Sequence, residues 1–173
     1  EEITMKISVV VSTHNRSKSL ARTLKSVKDL ADETVVVDNE STDDTAQVAK
    51  SMGARVYTRP NNSMLNINKN FGISKATGDW ILYLDDDEEI PAELSQEIKK
   101  SLKDNEIAGF WISRKNIIFG KWITHGIWWP DRQLRLFRRG TGRYPEKHVH
   151  EYIAVSGINR KLEHAFVHYN YDS

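Results

Sequence analysis

The run Trp80-Ile81-Leu82-Tyr83-Leu84-Asp85-Asp86-Asp87-Glu88-Glu89 constrains this chain more than any other stretch. Five apolar residues stop abruptly at five acids. An unbroken apolar run of this length reads as a strand buried on both faces. The acids then sit where the strand leaves the core. Side by side they repel one another, so the cluster stabilises nothing by itself. A divalent cation turns that repulsion into attraction, and hard oxygen ligands suit Mg²⁺ or Mn²⁺. The run therefore predicts a metal site at the end of a central strand.

A chain of 173 residues can build one domain with a substantial core but not two comfortable ones. A hydrophobic fraction of 39% and a charged fraction of 28% fit a globular protein. No apolar stretch approaches the ~20 residues that a membrane helix needs. The absence of cysteine excludes disulfides and thiolate chemistry, and agrees with a reducing compartment. The net charge of +1 hides an asymmetry. Residues 1–110 hold 14 Lys+Arg and 19 Asp+Glu, whereas residues 111–173 hold 11 and 5. The basic part also carries Trp111, Trp122, Trp128 and Trp129. Positive charge interleaved with aromatics suits phosphate-bearing partners or a membrane surface. No RNA- or DNA-binding motif accompanies it, so nucleic acid is not an expected partner.

The first hundred residues alternate strand and helix patterns. Residues 6–13, 34–38, 54–58 and 80–84 read as strands. Between them, apolar residues at helical spacing (Leu20, Leu24, Val27; Ala46, Val48, Ala49; Met64, Ile67, Phe71) predict three helices, and Pro91 opens a fourth. Ser17 and Ser41 read as helix caps. The alternation predicts an α/β fold with a mostly parallel sheet and helices on both faces. From about residue 108 the pattern becomes short strands among Gly-containing loops, an irregular mixed part. The expected organisation is one domain over 1–173, with an α/β half at about 5–107 joined to the mixed half at about 108–173. The chain is expected to continue beyond Ser173.

Open α/β sheets bind ligands beyond the carboxyl ends of their strands. Here those ends are Thr13-His14-Asn15-Arg16, Asp38-Asn39-Glu40, Arg59-Pro60-Asn61 and Asp85-Asp86-Asp87. A polar crevice above an apolar sheet suits a nucleotide. The first strand end lacks the glycines of a dinucleotide site, and no Gly-Lys-Ser/Thr phosphate loop is present. A phospho-receiver domain would gather its acids at the first strand end, which is Ser12-Thr13-His14. Phosphate neutralisation must come from a metal.

Four segments in order carry a resemblance. They are Ile7 to Arg16, Val35 to Thr45, Asn70-Phe71-Gly72-Ile73 with Ala76-Thr77-Gly78-Asp79-Trp80, and Leu84-Asp85-Asp86-Asp87-Glu88. Together they resemble family 2 glycosyltransferases with the GT-A (Rossmann-like) fold. Asn39-Glu40 stands where Asp-Gly is commoner in that family. Trp128 to Arg139, followed by Val149-His150-Glu151, is similar to the subgroup that includes lipopolysaccharide-core glucosyltransferases.

The resemblance implies roles. Thr13, Asn15, Arg16, Asp38, Asn70 and Asp85 are expected to bind the nucleotide, with Asp38 accepting a hydrogen bond from the base. Asp85 and Asp87 are expected at the metal, joined by His168. Asp86, Glu88 and Glu89 are expected to be bystanders. Glu151 and Asp131 are the candidates for the catalytic base, with Glu151 preferred. His150 is a weaker candidate than His168 for a ligand. Arg135, Arg138 and Arg139 either meet phosphate or lie on a solvated face. Each Trp is expected in the core. The implied activity is metal-dependent, inverting transfer from a nucleotide-sugar, a UDP-sugar above all, to a hydroxyl of a cell-envelope glycan or glycolipid. The implied location is the cytoplasm, with peripheral contact at the inner face of the membrane. The alternative is a non-catalytic GT-A-like module that binds nucleotide or metal.

Overall fold

The computed structural model describes residues 4–147 and 152–170. Strands β1 (Ile7–Thr13), β2 (Glu33–Asp38), β3 (Arg55–Thr58) and β4 (Trp80–Asp85) alternate with helices α1 (Ser17–Ser26), α2 (Thr45–Ser51) and α3 (Leu65–Lys75). A two-residue strand β5 (Glu88–Glu89) and helix α4 (Ala92–Ser101) follow. The rest is mainly strand: β6 (Ile107–Ile118), β7 (Lys121–Trp122), β8 (Asp131–Arg138), β9 (Gly142–Arg143), β10 (Ala154–Val155) and β11 (Ile158–Asn170), with a 3₁₀ turn at Gly126–Trp128.

Nine of these strands form one sheet, in the order β3-β2-β1-β4-β8-β6-β11-β5 with β7 paired onto β6. β3, β2, β1 and β4 run parallel. The valines, isoleucines and leucines of β1, β2 and β4 are buried because helices cover both faces. Along β1, Val9 and Val11 face one cluster with Leu20 and Leu24 of α1 and Leu94 and Ile98 of α4. Val10 faces the other with Ile73 of α3, Tyr83 and Phe137. This is the period-2 alternation of a strand. Gly72 permits the close seat of α3, because a Cβ there would lie 2.7 Å from Val10 Cγ1 and 2.8 Å from Val37 Cγ2.

The second half mixes parallel and antiparallel pairing, as expected, but its main strands are not the short ones that the sequence pattern predicts. Its strands are long, 12 residues in β6 and 13 in β11, and they continue the same sheet. β8 joins antiparallel to β4, β6 antiparallel to β8, and β11 parallel to β6. Polar residues such as Arg114 and Asn116 interrupt the apolar pattern, yet the ladder runs through them. The helix starts also differ: Arg16 and Asp44 occupy the cap positions without side-chain caps, and Ser17 is the first helical residue. Asp43 instead takes hydrogen bonds from the Thr45 backbone N–H and hydroxyl.

Candidate active site

The acidic run is a tight turn. β4 ends at Asp85, Asp86 and Asp87 form the bend, and β5 returns to pair with β11, setting Glu88 opposite His168. Because the chain turns here, strand alternation does not govern the three aspartates, and each faces a different neighbour. Asp85 contacts Lys69 (3.7 Å) and Arg135 (3.3 Å). Asp86 accepts a hydrogen bond from the Thr13 hydroxyl at 2.8 Å. Asp87 lies 3.2 Å from His168 Nε2 and 3.4 Å from Arg16 Nη1. Asp85 and Asp87, both expected at the metal, thus meet different neighbours.

Glu88 is no bystander. It is fully buried, and Arg135 Nη1 donates to it at 2.6 Å. Arg114 Nη1 reaches its second oxygen at 3.3 Å, and the Asp85 backbone N–H donates to it at 2.7 Å. Arg135 is likewise buried, so it lies neither on a solvated face nor free for phosphate. Burial disfavours the charge of Asp85, but Arg135 and then Lys69 outweigh it and hold its carboxyl well below the usual aspartate range. Asp86 goes the other way. Burial, with some repulsion from Asp87, pushes its carboxyl up to about 6 against the hydrogen bond from Thr13.

Asp85, Lys69, Arg114, Asp131, Gln133 and Arg135 border a cleft of ≈ 620 Å³ whose remaining wall includes Trp128, Tyr144 and Tyr152. Its charges are largely paired among themselves. Asp131 accepts from Arg114 Nε (2.8 Å), Asn116 Nδ2 (2.9 Å) and Gln133 Nε2 (2.8 Å). Burial would raise its carboxyl, yet these hydrogen bonds and the Arg114 charge hold it below the usual range. A carboxylate so engaged is a weak proton acceptor. The other candidate base, Glu151, and His150 lie outside the described residues.

The nucleotide-side candidates divide into two groups. Asp38 closes β2, is buried, and takes one long hydrogen bond at Oδ2 from the Ser41 backbone (3.3 Å). Its Oδ1 is withdrawn from water with no hydrogen-bond partner, as is Arg59 Nε at the end of β3. Such orphans are uncommon in native structures and call for an explanation. The Arg59 backbone N–H donates to the Asp38 carbonyl at 2.9 Å, so the two residues adjoin. Asn15 and Asn70, in contrast, spend their side chains on the protein. Asn15, at φ 48°, accepts from the Thr42 and Asp43 backbones and so ties the first strand end to the second. Asn70 clamps Tyr144, donating to its carbonyl and accepting from its N–H, both at 2.8 Å. Arg138 and Arg139 likewise bond to backbone carbonyls.

The residues around Asp87 fit a divalent cation brought in by a ligand. Among the described residues, no group of three or more His, Asp or Glu is placed to hold an ion alone. One carboxylate and one imidazole converge, however, and Mg²⁺-type sites are often completed by substrate phosphates.

Sequence reasoning passed over Lys69, Arg114 and Asn116, and set Glu88 aside as a bystander. Arg114 and Asn116 sit two apart in β6, on one face with Ile112, and that spacing was their only sequence signal. The tryptophans also depart from expectation: Trp80 is in the core, whereas Trp122 and Trp128 are exposed.

Two curated relatives are similar to this chain in sequence. An uncharacterized glycosyltransferase of Rickettsia prowazekii is 46% identical over 94 residues, which is 54% of this chain and 32% of that protein. The lipopolysaccharide core biosynthesis glycosyltransferase LpsC of Rhizobium meliloti is 29% identical over 87% of this chain and 58% of its own length. This chain thus spans about a third of the Rickettsia relative. Among solved structures, S. aureus TarS 1-349 in complex with UDP-GlcNAc superimposes with a TM-score of 0.75 at 18% identity, covering 98% of this chain and 60% of TarS. The mannosyltransferase PcManGT from Pyrobaculum calidifontis, in complex with GDP-Man and Mn²⁺, does so with a TM-score of 0.58 at 19% identity, over 80% and 46% of the two chains. These structural likenesses speak for the GT-A fold. Residues 8–165 match Glycosyl transferase family 2, and the chain belongs to that family.

Proposed function

We propose that this chain forms the nucleotide-sugar site of a metal-dependent, inverting glycosyltransferase. The donor is a UDP-sugar and the acceptor a hydroxyl of a cell-envelope glycan or glycolipid. The observation that carries the reading is the unpartnered, buried Oδ1 of Asp38 at the end of β2. A uracil imide offers an N–H donor, which complements the Asp38 oxygen. Thr13 and Arg16 border the diphosphate through their contacts with Asp86 and Asp87. Asp87 and His168 hold the cation, Mg²⁺ or Mn²⁺. When bound, the cation offsets charge gathering on the leaving diphosphate.

Asp85, fixed by Lys69 and Arg135, orients the donor at the cleft that receives the acceptor. Trp128, Tyr144 and Tyr152 supply faces for sugar rings there. Glu151 is the proposed base, since Asp131 is already committed to three donors. Asn15 and Asn70 act by shaping the site.

Peripheral contact with the inner face of the membrane belongs to the same reading. The turn between β6 and β7 presents Phe119 at 76% exposure, and Ile127 beside the cleft is 88% exposed. Lys115 and Lys121 lie in the same segment, and residues 115–130 contain no acid. Among the described residues, no helix is long and apolar enough to cross a membrane.

The test is UDP release from UDP-sugars, with and without envelope glycolipids, in Mn²⁺, Mg²⁺ or EDTA. Turnover confined to the metal-containing reactions and lost in Asp87→Ala is expected. Full turnover in EDTA contradicts the metal, and UDP binding with no turnover toward any acceptor favours a non-catalytic module.

A further inference from the structure

His168 does not choose its own proton position. Its Nδ1 lies 2.8 Å from Asn116 Oδ1. The orientation of the Asn116 amide follows from its other side, where Nδ2 points at Asp131 Oδ2 (2.9 Å) and at the Trp128 carbonyl (3.5 Å). Both of those oxygens can only accept, the first as an ionised carboxylate held low by its donors. Flipping the amide would set its oxygen against two acceptors. Asn116 is buried, so water cannot relieve the mismatch. The amide oxygen therefore faces His168, and Nδ1 must carry the hydrogen.

The consequence appears on the far side of the ring. With the proton on Nδ1, the neutral imidazole presents an Nε2 lone pair, 3.2 Å from Asp87 Oδ2. Two acceptors at that separation repel unless a second proton or a metal cation comes between or beside them. We propose that Asn116, anchored by Asp131, is a positioning residue that holds His168 in the Nδ1–H tautomer and thereby keeps Nε2 open as a ligand atom. The relay crosses three strands, from Asp131 in β8 through Asn116 in β6 to His168 in β11, and ends at Asp87 in the acidic turn. It gives Asp131 a role that does not require it to take a proton from the acceptor. It also explains a neutral polar residue buried near the end of β6.

The inference rests on the reading of His168 and Asp87 as metal ligands, but its first readout needs no metal. Protein labelled with ¹⁵N-histidine is examined by long-range ¹H–¹⁵N correlation in alkaline buffer, where imidazole is neutral, and His168→Gln assigns the resonance. The Nδ1–H pattern is expected for native His168. An Nε2–H pattern overturns the proposal whatever any variant does. Asn116→Leu, close in shape but without hydrogen bonds, should shift His168 toward Nε2–H. It should also weaken Mn²⁺ binding in the presence of UDP, read by electron paramagnetic resonance, by about 10–100-fold, the usual cost of losing an outer partner of a metal ligand. An unchanged tautomer in folded Asn116→Leu overturns the proposal. Failure of the metal reading has a separate signature, Mn²⁺ affinity undiminished in His168→Gln while the native tautomer is as expected. If Asn116→Leu does not fold, Asp131→Leu removes the anchor together with its bonds to Arg114 and Gln133, and an unaltered His168 tautomer in that folded variant overturns the relay.

Discussion

Arg135 Nη1 lies 2.6 Å from Glu88 Oε1, and both side chains are removed from solvent. Glu88 also receives Arg114 and the backbone of Asp85. One buried carboxylate thus closes the acidic turn and holds two arginines at the floor of the cleft. Removing one member of a buried ion pair leaves the other charge unpaired, at a cost of about 3–5 kcal/mol. Arg135→Met is expected to destabilise the fold by that order in urea denaturation. Glu88→Gln with Arg135→Met should cost less than the sum of the two single changes, because the charges disappear together.

Asp86 sets a pH dependence of stability. Its carboxyl is raised from 3.8 to about 6 by burial and by Asp87. The folded state therefore holds this proton more tightly than the unfolded chain does. Above both values the ionised, buried group destabilises the fold. As pH falls through about 6 the folded state takes up the proton and gains stability, and the gain is complete below the unfolded value. A shift of this size corresponds to roughly 3 kcal/mol. Asp86→Asn can still accept from Thr13 and should remove this component, being more stable than native near neutrality. Thermal unfolding of both proteins across the acid range checks it, and parallel native and Asp86→Asn profiles would refute it.

Asp38 should separate stability from binding. Its Oδ1 has no partner in the free protein, so Asp38→Asn gives up little folding energy. A hydrogen bond to a charged group contributes about 1.5–3 kcal/mol. UDP affinity, measured by calorimetry, should fall by roughly 10–100-fold. The midpoint of urea unfolding should hardly move. A large loss of stability with unaltered UDP affinity would mean that Asp38 serves the fold alone.

Asn70 should behave in the opposite way. It makes two hydrogen bonds to the Tyr144 backbone and a third, longer one to Glu146. Asn70→Ala is expected to cost about 1–3 kcal/mol, through backbone groups left unsatisfied. UDP affinity should change by no more than about twofold, well under 1.4 kcal/mol. A tenfold loss of UDP affinity would return Asn70 to the list of nucleotide contacts.

Several parts of the fold were legible because their signals are local. β1, β2 and β4 appear in the sequence as unbroken apolar runs, since parallel strands are covered on both faces. The acids at the ends of β2 and β4 mark the ligand side of the sheet, where the chain leaves the apolar layers. The second half was less legible. β6 and β11 draw their hydrogen bonds from each other along ten paired positions, so polar residues do not end them. A pattern read along one strand cannot report a partner more than 40 residues away.

The order of motifs, the parallel sheet and the placement of Asp38, Asp85 and Asp87 at strand ends were determined by the sequence alone. Those features follow from apolar runs, helix periodicity and the chemistry of short motifs, all of which act within a few residues. Only the tertiary structure decided which acid does what. Glu88 reads as one more solvated charge until Arg135, 47 residues away, is seen against it. Asp131 reads as a free base until Arg114, Asn116 and Gln133 occupy it. A carboxylate's character depends on burial and on the donors within about 3 Å of it, and neither is a property of its neighbours in sequence.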